Sequence, residues 1–383
     1  MPIIENTLTI PQVTQSSLLP SSIFNANKTD YEEPTLFLGQ EMGLLDTINV
    51  SHPQLVTLHD RLIEMNWKHN EFPFDTCNVQ FKTCDRGVYD VMIRTLAWQW
   101  EADSIAARTL LPVMAPFISS TALFGLWGEI SRNEFLHART YSHIVKSSFD
   151  NPSEVLADIL AVKESLQRAH TVSAVLQRAY DVSHRFALGQ LSKDDQEVYD
   201  AIFLFIVALW CLEAIQFMSS FAITFAVAET GLFVPIGRAV QKICQDESVI
   251  HAVANRKILE IELQTKRGIE TYTRLRPIIQ TIVDEVVETE FNWNANVLGD
   301  GRSLKDVTVG MLNGHTIFHA KDIYNFLGLE CKYAFPDKSP MNHLKEWFNI
   351  NSVKGAPQEE KQGNYLLGGM VNDGHRNVID ITF

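Results

Sequence analysis

The sequence predicts an all-α protein built as a large helical bundle, and three observations support this prediction. From about residue 52 onward apolar residues recur with helical periodicity, and alternating β-branched runs are few. Breaks rich in Gly, Pro, Asn and Asp divide this region into long segments. Residues 201–229 are apolar for nearly their whole length, which is typical of a helix buried on all sides within a bundle.

The elements follow one another after an irregular arm at residues 1–35, which is rich in Ser, Thr, Asn and Pro. We predict helices at residues 53–67, 87–112, 120–147, 152–167, 169–188, 194–227, 234–264 and 267–298, with shorter pieces at roughly 303–328 and 340–348. The breaks fall at residues 72–78, 150–154, 231–237 and 298–303. Since no repeat of solenoid period is present, we predict one helical domain over residues 36–350.

The end of the chain, residues 351–383, differs from the rest because it is Gly-rich, polar and without a helical period. This composition predicts a flexible tail. The tail ends on the apolar stretch "VIDITF". An apolar end on a mobile tail is typical of a docking peptide, and simple fraying is the alternative that composition leaves open.

Composition and charge favour a folded, cytoplasmic protein. Of 383 residues, 46% are hydrophobic and 20% charged, and the net charge of −14 without a basic tract disfavours nucleic acid as a partner. Five scattered cysteines indicate a reducing compartment, and the N-terminus lacks the pattern of a secretory signal. Residues 201–229 could span a bilayer, but Glu213 near their middle would be costly in lipid, so we predict a core helix and no membrane.

The stretch "NEFLHARTYSHI" (133–144) places three polar side chains on one face of an otherwise apolar helix. At 100° per residue, Glu134, His137 and Tyr141 point within roughly 60° of one another. A carboxylate, an imidazole and a phenol are costly in a core unless something satisfies them. A metal ion, a hydrogen-bond network or a cleft would each do so.

Acidic residues occur in four otherwise apolar helical stretches. Two stretches carry one carboxylate each, and two carry a Glu followed about one turn later by a His. The candidate ligands are Asp103, Glu134 with His137, Glu213, and Glu247 with His251. Bundle proteins that hold two metal ions use this arrangement, and oxygen ligands with one imidazole per metal suit iron or manganese. Glu101, beside Asp103, and Asp246, beside Glu247, are rival ligands by position.

The motifs "ADSI", "EFLHARTYSHI", "LEAIQF" and "QDESVIH", with "APQEEKQGNYLLGG" in the tail, resemble the small, metal-bearing subunit of class I ribonucleotide reductase. The resemblance runs from about residue 36 to the C-terminus. The separations of 31 residues between Asp103 and Glu134 and of 34 between Glu213 and Glu247 also resemble those of the family. The resemblance implies a ferritin-like helical bundle, usually a homodimer, which works with a large subunit to reduce ribonucleotides.

The resemblance also implies roles for individual residues. Asp103, Glu134 and His137 would bind one metal ion, and Glu213, Glu247 and His251 the other, with Glu134 bridging and Glu247 a second candidate bridge. Iron is the expected metal and manganese the alternative. Tyr141 matches the tyrosine that the family oxidises with dioxygen to a stable neutral radical, and an apolar pocket would shield it. The matching pocket residues are Phe217, Phe221 and Ile243.

A radical-transfer path is implied as well. Trp67 resembles the tryptophan of this path, with Asp246 linking it to His137, although Trp98 or Trp100 could be mistaken for it and Trp67 could be a packing residue. In the tail, Tyr365 resembles the tyrosine that relays the radical to the large subunit, and Glu359 the acidic residue before it. The last residues, ending at Phe383, would dock on the large subunit.

One feature departs from the family pattern of Glu-x-x-His. This chain has Glu247-x-x-x-His251, and one extra residue in a regular helix would rotate His251 by about 100°. A single π-bulge would absorb the insertion, and such bulges favour functional sites. We therefore predict a π-bulge, or a locally distorted turn, between residues 247 and 251.

Three other functions share parts of this pattern. A ferritin-like di-iron oxidase without radical relay would have no need of a tail carrying Tyr365. Iron storage usually relies on far shorter chains that form cages. A pure scaffold would leave the buried Glu213 unexplained.

Overall fold

The computed structural model describes residues 24, 25 and 35–349. The predicted arm (1–35) lies outside the described residues except for positions 24, 25 and 35, and the predicted tail (351–383) lies wholly outside them. Regular structure in the described part is helical, so the predicted all-α class is confirmed. The helices are α1 (Pro53–Glu64), α2 (Cys77–Thr83), α3 (Arg86–Met114), α4 (Thr121–Ser148), α5 (Pro152–Leu160), α6 (Lys163–Ala187), α7 (Gln196–Cys211), α8 (Phe217–Glu229), α9 (Val234–Asp246), α10 (Ala252–Glu262), α11 (Lys266–Val297), α12 (Val309–Phe326) and α13 (Lys345–Phe348).

Two π-helical segments join helices without a break. The first π segment (Leu212–Gln216) joins α7 to α8, and the second π segment (Glu247–His251) joins α9 to α10. Each π segment and its two flanking helices form one continuous rod. The two rods form two of the four walls of the bundle around the site. The other two walls are α3 and α4, which pack against each other, and α6 and α11 close the bundle behind them.

Local chemistry explains where several helices begin. Ser120 caps α4 by accepting a hydrogen bond from the Leu123 N–H. Thr265 and Thr308 cap α11 and α12 in the same way. Such caps satisfy amides that the first helical turn leaves without partners, and each contributes about 1 kcal/mol.

The sequence prediction missed one helix and misplaced one break. Helix α2 was missed because the turn residues at 72–78 hide a short helix whose Phe81 is buried. The predicted break between residues 167 and 169 lies instead at Val162, whose ψ of 86° leaves the helical range. Neither Gly nor Pro marks Val162, so the sequence carries no breaker signal there.

The most apolar rod, Gln196–Glu229, is long and apolar enough by composition to cross a membrane. In the structure, however, 94% of its apolar window is buried inside the protein. It packs against α6, α11 and α10, and it therefore forms the central helix of the core.

Candidate metal centre

The six predicted ligands meet at the centre of the bundle. Each is at most 1% exposed. Asp103 comes from α3, Glu134 and His137 come from α4, and the two π segments supply the rest. The ligand atoms form two overlapping groups, each with all atoms within 4.8 Å of one another: Asp103, Glu134, His137 and Glu247, and Glu134, Glu213, Glu247 and His251. Two glutamates, Glu134 and Glu247, thus belong to both groups.

Both imidazole rings turn Nδ1 toward the carboxylates. The Nδ1 atom of His137 lies 2.9 Å from Oε1 of Glu247 and 3.7 Å from Oε2 of Glu134. The Nδ1 atom of His251 lies 2.9 Å from Oε1 of Glu134 and 2.7 Å from Oε2 of Glu247. Each ring therefore approaches both shared glutamates.

Apart from these close contacts among the six side chains themselves, none of the inward-facing atoms has a hydrogen-bond partner among the described residues. This holds for both carboxylate oxygens of Asp103, Glu134, Glu213 and Glu247, and for Nδ1 of His137 and His251. Leaving so many buried polar atoms unsatisfied would be very costly. Two divalent cations would satisfy them, and four carboxylates would balance their charge, so these residues fit a dinuclear metal centre.

The second π segment confirms the bulge predicted from the Glu247-x-x-x-His251 spacing. The N–H of Ala252 donates to the carbonyl of Glu247, five residues earlier. The wider turn absorbs the extra residue and brings His251 to the cluster. The first π segment has the same bonding pattern, from the Phe217 N–H to the Leu212 carbonyl, and was not predicted. Glu213 is alone in its segment, so no ligand spacing could reveal the distortion.

The outer nitrogens of both imidazoles are held by a second layer of polar side chains. His137 Nε2 lies 3.0 Å from Oδ2 of Asp246, and His251 Nε2 lies 2.9 Å from Oδ1 of Asn133. The Asn133 amide in turn donates to Asp246 Oδ2 at 3.1 Å. With Nε2 protonated, this network leaves the Nδ1 lone pairs free for metals.

Asn133 was missed by the sequence reasoning. The available signal was an amide next to Glu134 in a predicted buried helix. Asp246, a rival ligand by position, belongs to this second layer. The other rival, Glu101, is in neither ligand group; its side chain is half-buried, and burial raises its pKa.

Trp67, the residue assigned to the radical path by resemblance, lies against this second layer. Its Nε1–H donates to Oδ2 of Asp246 at 2.8 Å, and its ring stacks on that of His137 with centroids 6.0 Å apart. Trp98, by contrast, stacks on the Arg168 guanidinium, and its buried Nε1 has no hydrogen-bond partner among the described residues. Of these two tryptophans, Trp67 is therefore the one connected to the cluster by hydrogen bonds.

The pKa values of the cluster show that its buried carboxylates favour positive charge nearby. Burial, together with the neighbouring carboxylates, raises the pKa of Asp103 and of Glu213 well above the usual range. Burial alone would lower the pKa of His251, but the charges of Glu247 and Glu134 outweigh it and raise that pKa to about 10. Without metal, the cluster therefore favours taking up protons, and metal ions would replace them.

Tyr141 lies one turn beyond His137 on α4 and is fully buried. Its phenol oxygen has no hydrogen-bond partner among the described residues. Burial, and then the charge of Asp103, raise its pKa well above the ordinary value. The predicted pocket residues Phe217, Phe221 and Ile243 are fully buried in the same apolar core, and the two phenyl rings stack with centroids 5.6 Å apart. Tyr365 lies outside the described residues.

Comparisons with known proteins agree with this geometry. The sequence model of the family "Ribonucleotide reductase, small chain" matches residues 45–340. The ribonucleoside-diphosphate reductase subunit beta of Enterobacteria phage T4 is 23% identical over 381 residues, covering 92% of this chain and 96% of the relative. Subunit beta of reductase 1 from Escherichia coli O157:H7 is 22% identical over 359 residues, covering 90% of this chain and 94% of the relative.

Solved structures show the same fold. The ribonucleotide reductase R2 subunit from Clostridium botulinum superposes with a TM-score of 0.72 at 16% identity, covering 86% of this chain and 98% of that one. The dimanganese(II)-NrdF of Streptococcus sanguinis gives a TM-score of 0.62 at 12% identity, covering 78% and 96%. With the family match spanning most of the chain and a buried dinuclear site at its centre, this protein belongs to the ribonucleotide reductase small chain family, as a small subunit of the class I enzyme.

Proposed function

We propose that this subunit generates and stores a radical on Tyr141. Its two metal ions would be held by Asp103, Glu134 and His137 on one side and by Glu213, Glu247 and His251 on the other, with Glu134 and Glu247 shared. When bound, the metal pair supplies the chemistry that uses dioxygen to oxidise Tyr141 by one electron. Iron is the proposed metal; manganese is the alternative, in line with the name of the Streptococcus sanguinis protein.

The environment of Tyr141 is the observation that carries this proposal. Among the residues that the structure describes, this phenol is fully buried, lies one helical turn from a proposed metal ligand and has no hydrogen-bond partner, so it is protected from water and from reductants. Phe217, Phe221 and Ile243 are buried in the same apolar core as Tyr141, and we propose that they help to keep both away. A neutral radical needs such isolation to persist.

We further propose that the oxidising equivalent leaves through His137, Asp246 and Trp67. Oδ2 of Asp246 accepts hydrogen bonds from Trp67 and contacts His137, so it can take the indole proton when Trp67 is oxidised. Tyr365 would continue the path to the large subunit, on which the tail ending at Phe383 would dock. The large subunit would then reduce ribonucleoside diphosphates.

The subunit would act as a homodimer in the cytoplasm. All five cysteines are free in the structure, which suits a reducing compartment.

Electron paramagnetic resonance tests the radical directly. Metal-free protein is loaded anaerobically with Fe(II) and exposed to dioxygen, beside a Tyr141→Phe variant treated identically. We expect an organic radical in the parent and none in the variant, with iron oxidised in both. The same radical in Tyr141→Phe would refute the assignment. Oxidised iron with no radical in the parent would favour a di-iron oxidase without radical relay.

A further inference from the structure

A second buried charge cluster lies behind the metal centre, outside the set of candidate ligands. Arg168 of α6 is 2% exposed, and its guanidinium carbon lies 4.1 Å from the ring centroid of Trp98 and 4.7 Å from that of Trp293. Burying a guanidinium between two indoles is costly unless its N–H groups are paired. The partners of Arg168 therefore indicate what the charge is for.

The guanidinium makes four hydrogen bonds, and they divide into two pairs. One pair is a fork to Glu290 of α11, with Nε 2.5 Å from Oε1 and Nη2 2.7 Å from Oε2. The other pair reaches the rod that carries Glu213: Nη1 donates to Ser220 Oγ at 2.7 Å, and Nη2 donates to the backbone carbonyl of Gln216. The side-chain amide of Gln216 returns a bond of 2.9 Å to the Arg168 carbonyl.

The hydrogen bonds from Arg168 reach the rod where the first π segment, which contains Glu213, ends. Gln216 is the last residue of the first π segment, and Ser220 lies one turn beyond it. A π turn is less stable than an α turn. Its position along a helix determines the directions in which the side chains before and after it point. If the bulge moved to the N-terminal side of Glu213, that side chain would rotate by about 100° and leave the cluster.

We propose that Arg168 is a positioning residue for the metal centre: it clasps the first π segment to α6 and α11 and thereby keeps Glu213 aimed at the second metal ion. The proposal rests on the proposed metal-binding function. Glu290 holds the guanidinium in place and balances its charge. The two indoles pack against the guanidinium and limit its movement, and its N–H groups reach both Glu290 and the rod.

Metal affinity tests the clasp without relying on enzyme activity. Full-length parent and Arg168→Lys are titrated anaerobically with Mn(II) alone, and free Mn(II) is followed by electron paramagnetic resonance. Lysine keeps the charge opposite Glu290 but cannot form the fork. We expect two ions per chain in the parent, and in Arg168→Lys one ion at parental affinity and a second weakened at least about tenfold.

Arg274→Lys is a matched control. Arg274 of α11 makes a similar fork to Asp200 of α7, with distances of 2.6 and 2.7 Å. Asp200 lies thirteen residues before Glu213, roughly 20 Å along the helix. We expect this variant to bind two ions as the parent does. If Arg168→Lys fails to fold, Ser220→Ala removes one of the two bonds to the rod, and a smaller weakening of the second ion is expected.

A double-mutant cycle separates positioning from general support of the fold. Glu213→Gln alone should weaken binding of the second ion. If Arg168 acts through Glu213, adding Arg168→Lys to that variant should not weaken the binding any further. An additional, independent loss in the double variant would overturn the proposal, as would two ions at parental affinity in Arg168→Lys. A parent that does not bind two ions would instead contradict the metal centre of the proposed function.

Discussion

Deleting Ser248 should remove the second π segment and leave the metal centre intact. The segment has one residue more than a regular turn, and the N–H of Ala252 bonds five residues back to Glu247. Without Ser248 the same N–H would bond four residues back, as in an α-helix. Because the bulge already absorbs the insertion locally, α9 and α10 should keep their packing.

The expected change in the free energy of unfolding is small. Ser248 is half-buried, and the deletion exchanges its contacts for a regular helical turn, whose hydrogen bond contributes about 0.5–1.5 kcal/mol. The stability of the variant should therefore stay within about 1 kcal/mol of the parent. Mn(II) should still bind at two ions per chain, with affinities within about tenfold of the parental values.

Deleting Lys257 is the matched control, because this half-buried polar residue lies in the regular part of α10. The residues after it would rotate by about 100°, which would move the fully buried Ile258 to a half-buried position and bring the charged Glu260 to the buried position of Leu259. Exposing Ile258 costs up to about 1.5–3 kcal/mol and burying the Glu260 carboxylate about 1–3 kcal/mol, so the control should lose roughly 3–6 kcal/mol.

Denaturant unfolding of the metal-free proteins, followed by Mn(II) titration, measures both quantities. The reasoning is refuted if deletion of Ser248 destabilises the protein as much as deletion of Lys257. It is also refuted if the Ser248 variant folds normally but binds only one ion.

Three further predictions concern the second layer, metal removal and pH. Asn133→Ala should weaken Mn(II) binding about 10- to 100-fold, because His251 Nε2 loses its acceptor; unchanged affinity would remove Asn133 from the site. Mn(II) at 100 times its dissociation constant should stabilise the fold against denaturant by about 2.7 kcal/mol for each site, reversibly with chelator, and no shift would contradict binding to the folded state. Burial raises the pKa of Glu262 to about 7 from an ordinary 4.5, so the unfolded chain releases this proton first, and stability is lost as pH rises from about 4.5 to 7. Glu262→Gln, whose amide oxygen can still accept the Tyr199 hydroxyl, should recover up to about 3 kcal/mol at pH 8 relative to pH 4.5, and an equal pH dependence in both proteins would contradict the shift.

The sequence revealed the parts of the site that depend on spacing within one helix. Glu134 and His137 are three residues apart, which places them on one face of α4. Glu247 and His251 could be paired only by allowing a distorted turn, and the structure has that turn. Asn133 and Asp246 meet across 113 residues, and Arg168 and Glu290 across 122, so no local pattern could bring them together.

The two π segments together show how this bundle separates packing from ligand geometry. In a regular helix, core packing fixes the direction of every side chain at steps of 100°, so a ligand and a core residue cannot be adjusted independently. A π turn lets one residue change its direction while both flanks keep their packing. Glu213, Glu247 and His251 all lie in such turns, whereas Asp103, Glu134 and His137 lie in regular α3 and α4.

The second metal subsite therefore depends on local distortions that core packing alone does not fix. The two distortions differ in what holds them. The second π segment contains one residue more than a regular turn, and this extra residue causes its distortion. Its two ligands, Glu247 and His251, are also held by Asn133 and by each other. The first π segment carries a single ligand and is clasped by Arg168. Loosening that clasp should therefore weaken the second ion, while shortening the second π segment should leave both ions bound.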